Sequence, residues 1–205
     1  MLVGGVRRDL AEANEARESG LAACRAVIRA SSSAIRAVHR LDRDRYSSQL
    51  SEARTALRKA QDVTRPFPSI AHAGFLHDAE KEYVEAVLTR ALVDSAALPG
   101  PEDLAVGIPA WLNGLAEAAS ELRRHLLDRL RSDESATAER LLGAMEEVYE
   151  ALLGVDYPDA LTAGLRRSTD ALRAVLERTR SDVTTTVMQL RLRAALEKSA
   201  RGPLS

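Results

Sequence analysis

Cysteine is nearly missing from this chain. Cys24 stands alone among 205 residues, so no disulfide can close within one copy, and thiols cannot build a zinc site. A reducing compartment, the cytoplasm, is the expected location. Aromatic residues make up only 3%, too few for the aromatic and β-branched patterning that strands prefer. No apolar run approaches the roughly 18 residues that mark a membrane span, so contact with a membrane is not expected. The first twenty residues soon become charged (Arg7, Arg8, Asp9, Glu12, Glu15), which leaves no room for a signal-peptide core. Neither a glycine-rich phosphate loop nor a Ser/His/Asp arrangement in recognisable context occurs. Lysine is also scarce: of 29 basic residues only Lys59, Lys81 and Lys198 are lysine, and the other 26 are arginine. Arginine's planar fork suits bidentate phosphate contacts, but the formal net charge is -1, so any polyanion site has to be local.

What the chain has is helix-forming sequence. Hydrophobic residues make up 45%, enough for one sizeable core, and a single domain over residues 1–205 is the expectation. Alanine, leucine, arginine and glutamate dominate, which points to an all-α class. Apolar residues recur at helical spacing through Val6, Leu10, Leu21, Cys24, Ile28, Ile35 and Val38, predicting a long first helix with a candidate break at Ser31-Ser32-Ser33. A second helix fits Ser47 to Val63 and stops at the prolines of Arg65-Pro66-Phe67-Pro68. A third runs from beyond Ser69 to about Ala97, and Leu98-Pro99-Gly100-Pro101 is a linker. A fourth, Ile108 to Arg131, carries Leu112, Leu115, Ala119, Leu122 and Leu126 as its stripe. Ser132-Asp133 reads as the cap of a fifth that ends at Leu153-Gly154, and Tyr157-Pro158-Asp159 opens a sixth reaching Lys198. The predicted architecture is an antiparallel bundle of six or seven helices.

Chemistry concentrates on the third and fourth helices. Glu82 and Glu85 are three residues apart and Glu117 and Glu121 four apart, so each pair shares a helix face. Like charges so placed cost a few tenths of a kcal/mol on an isolated helix, and no basic residue lies between Glu117 and Glu121 to offset this. Gly114 and Ala118 flank that pair, so another helix could approach it closely. Two acidic pairs on two packed helices would form a cage of hard oxygens of the kind Mg²⁺ or Mn²⁺ accepts. Such a cage can activate a water and clamp both oxygens of a phosphodiester displacement. The competing reading is ordinary solvated surface, because a helical protein with 30 acidic residues carries many glutamate pairs at these spacings.

Several segments resemble the translin family. Gly74-Phe75-Leu76-His77-Asp78-Ala79-Glu80-Lys81-Glu82-Tyr83-Val84-Glu85-Ala86 is similar to a family block, and Glu82-Tyr83-Val84-Glu85-Ala86 looks like the corresponding part of translin-associated factor X. Trp111 to Arg124 resembles the family's next helix, Leu165 to Leu196 is similar to prokaryotic translin-like proteins, and Ala34-Ile35-Arg36-Ala37-Val38-His39-Arg40-Leu41 looks like the equivalent first-helix segment. Together these cover most of the chain in the right order.

The resemblance implies a metal-dependent endoribonuclease of the translin-associated factor X type. In that branch acidic residues of these two helices hold the metal, whereas translin itself lacks the set and mainly binds nucleic acid. Glu82, Glu85 and Glu121 match the family pattern, while Glu117 stands where an aspartate is usual. The alternative is a non-catalytic oligomer that binds RNA or single-stranded DNA. The resemblance further implies a seven-helix subunit in a closed, barrel-like homo-oligomer enclosing RNA. Candidate phosphate contacts are His77, Arg36 and Arg40 on the first helix, and Arg54 and Arg58 on the second; the bland alternative pairs these arginines with Asp42, Asp44 or Glu52. Ser32 and Ser33 depart from the family where basic residues are expected. Trp111 reads as core or interface rather than a base-stacking platform, and Cys24 as a small buried hydrophobe. His39, His72 and His125 lack the close spacing of a histidine metal pair.

Overall fold

The computed structural model describes residues 2–200. Among them every regular element is a helix: α1 (Leu2–His39), α2 (Arg43–Thr64), α3 (Pro68–Ala71), α4 (Phe75–Asp94), α5 (Pro101–Leu104), α6 (Ile108–Arg131), α7 (Ser135–Leu153), α8 (Asp159–Thr162) and α9 (Leu165–Ala200). Six are long, and α3, α5 and α8 are single turns, so the all-α expectation and the six-helix count agree with the structure. No helix among the described residues is long and apolar enough to cross a membrane.

Several boundaries differ from the sequence reading. The three serines do not break α1. Ser31 is fully buried beside Ala30 and Ala34, and small side chains there let a neighbouring helix cover the continuous backbone. Asp42 accepts a hydrogen bond from the Arg45 amide and so starts α2 at Arg43, earlier than the apolar pattern suggests. The predicted third helix is really α3 and α4, separated at Gly74, whose φ of +94° suits glycine. The predicted sixth is α8 and α9, divided where Ala163 and Gly164 both have positive φ. Ser132-Asp133 is a turn rather than a cap, with Asp133 at φ +59°, and α7 starts at Ser135 without a side-chain cap.

Helix α4 lies at the centre. Its Ala79 and Tyr83 pack into a cluster with Ala23, Cys24 and Val27 of α1 and Ala53, Leu57 and Ala60 of α2. Its Val84, Leu88 and Leu92 join Leu115, Ala119, Leu122 and Leu126 of α6, with Leu141 and Met145 of α7 and Leu172 and Leu176 of α9. A helix covered on two sides carries no single apolar stripe. The remaining side of α4 carries Glu82 and Glu85. Cys24 is buried, and burial, then the charges of Glu80 and Asp78, push its thiol up to about 11, which makes it inert packing.

The two longest helices outrun this core. Val3, Val6 and Leu10 on α1, and Met188, Leu192 and Leu196 on α9, are exposed. Trp111 is half-buried, and its indole N–H donates to the Pro99 carbonyl at 2.9 Å, tying the 98–101 linker to α6. The ring is therefore packing, in line with its sequence reading.

Candidate functional site

Helix α6 comes unusually close to α4. A Cβ on Gly114 would lie 2.7 Å from Val84 Cβ and 2.8 Å from the Lys81 carbonyl oxygen, closer than side chains tolerate, so only glycine permits this crossing. Glu117 sits one turn further along α6 and is thereby carried against the acidic side of α4. Glu82, Glu85 and Glu117 each offer a carboxylate oxygen, and these oxygens lie within 4.8 Å of one another. All three side chains are half-buried.

Concentrated negative charge leaves its mark on protonation. Burial, reinforced by Glu117, Glu82 and Glu121, pushes the Glu85 carboxyl up to about 8. Burial and Glu117 likewise raise Glu82. Near neutral pH the cluster therefore retains a proton that an isolated glutamate would release.

Two basic side chains that local sequence spacing does not reveal adjoin the acidic groups. Lys81 of α4 reaches across to α6, where its ammonium donates to Glu117 Oε1 at 2.7 Å. Burial opposes its charge, but the hydrogen bond and charge of Glu117 outweigh this and raise the Lys81 pKa. His39, at the end of α1, has a buried ring whose Nε2 lies 2.6 Å from Glu121 Oε1. The offset missing from the Glu117–Glu121 stretch itself thus comes from other helices. Glu121 is held by His39 instead of joining the close trio, though its charge still acts on Glu85. The His39 and His125 rings stand 6.1 Å apart, a pairing that no local spacing indicates.

The fit to a divalent ion is chemically sound. Donors of an octahedral Mg²⁺ stand about 2.9 Å apart when adjacent and about 4.2 Å when opposite, so the three oxygens, within 4.8 Å of one another, have to draw inward to share one ion. A half-buried trio that retains a proton is relieved when a cation replaces it.

The remaining candidates lie on α1, α2 and α4, outside the glutamate trio. His77 is half-buried one turn before Lys81 and makes no side-chain hydrogen bond among the described residues. Arg36, Arg40, Arg54 and Arg58 are exposed. Arg36 donates to Ser33 Oγ, and none of the four forms an ion pair among the described residues. Asp42 is engaged as the α2 cap instead. Arg36 lies three residues before His39 and so shares its side of α1.

No family model matches the chain. It is 30% identical over 191 residues to an uncharacterised protein of Methanocaldococcus jannaschii, covering 92% of this chain and 84% of that protein. Among solved structures it resembles AfC3PO in a complex with duplex RNA, with a TM-score of 0.84 and 33% identity over 92% of this chain and 98% of that one. AfC3PO alone gives a TM-score of 0.85 at 32% identity. Apo-NeC3PO, at 18% identity and a TM-score of 0.81, shares the fold. C3PO is the complex of translin with translin-associated factor X.

Proposed function

The chain belongs to the translin family, and on that premise we propose that it is an RNA-binding protein that cleaves RNA phosphodiesters with a divalent metal, Mg²⁺ or Mn²⁺. The observation carrying this reading is the convergence of Glu82, Glu85 and Glu117 from two helices onto one point, their oxygens within 4.8 Å. These three residues would hold the ion. When bound, it supplies a Lewis acid for the phosphodiester and lowers the pKa of water.

The chain's own residues do the rest. Glu85, which retains a proton near neutral pH, would release it to solvent on holding an ion. His39 holds Glu121 beside the trio, where Glu121 would accept a hydrogen bond from the attacking water. The exposed Arg36, Arg40, Arg54 and Arg58 draw in the phosphate backbone electrostatically, and His77 adds a contact beside Lys81. The similarity to AfC3PO with duplex RNA supports RNA as the partner, and the exposed apolar ends of α1 and α9 support self-association into a closed assembly.

The test is incubation of labelled single-stranded and duplex RNA with the protein in Mg²⁺, Mn²⁺ or EDTA, beside Glu82→Ala/Glu85→Ala. Metal-dependent cleavage that the double variant lacks is the expected result. RNA binding without cleavage in every metal would move the chain to the second reading, a non-catalytic RNA or single-stranded DNA binder. The observation favouring that reading is Glu117, which stands where an aspartate is usual and which Lys81 occupies.

A further inference from the structure

We infer that Lys81 is a tethered counter-ion which occupies Glu117 until a divalent metal displaces it, and whose released ammonium then pairs with a phosphodiester oxygen at the same site. This rests on the metal-site reading above and adds a coupling between the site's two ligands.

The pair spans two helices and sits where metal and substrate would have to meet. Lys81 immediately precedes Glu82 on α4, and its ammonium lies 2.7 Å from an oxygen of Glu117, a carboxylate of the close trio. Both side chains are only partly covered, 23% and 34% exposed, so the ammonium has a path outward. A carboxylate already neutralised by an ammonium is a weaker donor to a metal, and two cations gathered on one carboxylate repel. The two therefore compete.

The residue type matters. Of 29 basic residues, 26 are arginine, yet lysine stands here. An arginine fork would grip the carboxylate through two parallel bonds, whereas the lysine ammonium is a compact charge on a flexible stem. Lysine makes a displaceable plug. Once expelled it remains anchored one residue from Glu82, and the nearest incoming anion is the phosphodiester drawn to the site. Linkage is reciprocal: a phosphate that draws Lys81 away frees Glu117 for metal, and metal frees Lys81 for phosphate.

The experiment measures Mn²⁺ affinity from the free-ion paramagnetic resonance signal, with all proteins held at the same pH, 8.5. Wild type is compared with Lys81→Met, which keeps the stem and removes the charge, and with Lys81→Arg. Lys81→Met is expected to bind Mn²⁺ about tenfold more tightly, and Lys81→Arg no more tightly than wild type. A merely structural lysine predicts the opposite sign, because its loss would loosen Glu117. Binding of a phosphorothioate oligoribonucleotide is then measured with and without saturating Mn²⁺. The metal should tighten it about fivefold in wild type, and this coupling should shrink in Lys81→Met to the part the metal contributes by its own charge. Unchanged or weaker Mn²⁺ affinity in Lys81→Met, or coupling there as large as in wild type, overturns the inference while leaving the metal site standing. Absence of Mn²⁺ binding by all three proteins overturns the site reading itself.

Discussion

Gly114 of α6 rests directly against Val84 of α4, leaving 2.7 Å between Val84 Cβ and the place where a Cβ of its own would lie. That contact sets the spacing between the helix carrying Glu82 and Glu85 and the helix carrying Glu117. Gly114→Ala should therefore cost about 1–3 kcal/mol through overpacking, even though alanine favours an isolated helix by up to about 1 kcal/mol. Denaturant melts of Gly114→Ala, Val84→Ala and the double variant check this. Val84→Ala removes Cγ1, also 2.7 Å away, but keeps Cβ and the Lys81 carbonyl, so it should relieve part of the loss, and purely additive effects would show that Cγ1 is not what Gly114 accommodates.

Glu85 carries the largest price of the acidic cluster. Its folded pKa, about 8, lies above the ordinary value of 4.5, so its contribution is most favourable below pH 4.5 and is lost as pH rises through 8. Glu85→Gln should melt higher than wild type in EDTA, with the gap widening from pH 5 to 8.5. A lower melting temperature for the variant at pH 8.5 would contradict the assigned burial and repulsion.

The same shift ties metal uptake to protons. Below pH 8 the entering ion must expel the proton on Glu85, so Mn²⁺ affinity should climb with pH and flatten above about 8. Calorimetry in two buffers of different ionisation enthalpy should report about one proton released per ion at pH 7. Equal heats in both buffers would place the metal elsewhere.

His125 acts in the opposite direction. Burial, then the charges of Arg129 and His39, lower its pKa from 6.5, and its buried Nδ1 has no hydrogen-bond partner among the described residues. A depressed histidine contributes stability above pH 6.5 that is lost as pH falls through the folded pKa. Between pH 7.5 and 5.5 wild type should lose more stability in urea melts than His125→Leu. A parallel loss in both would assign acid sensitivity to other groups.

The exposed arginines can be counted by salt. Replacing Arg36 and Arg40, or Arg54 and Arg58, by alanine should weaken single-stranded RNA binding and make the log affinity against log salt slope shallower by about 1.4, at about 0.7 per phosphate contact. Filter binding over a salt series reads this directly, and an unchanged slope removes that pair from the RNA path.

Helix content and most of the long elements were legible because they depend on neighbours three and four residues away. The stripe of α6 and the prolines after α2 needed no tertiary information. The acidic pairs Glu82–Glu85 and Glu117–Glu121 were legible for the same reason. Errors arose where one backbone angle decides: Gly74 and Gly164 divide predicted helices through positive φ, and glycine in a sequence does not declare which φ it adopts. The serines of α1 looked like a break because propensity alone does not register that Ser31 would be covered.

By itself the sequence determined an all-α chain with two acidic helix faces and a glycine between small residues beside one of them, since helical periodicity is a local property. Only the tertiary structure decided that three glutamates converge while the fourth turns to His39, 82 residues away, and that Lys81 answers Glu117 from 36 residues away. Such pairings depend on where α1, α4 and α6 cross, and a crossing is set by how closely side chains such as Gly114 and Val84 allow two helices to approach.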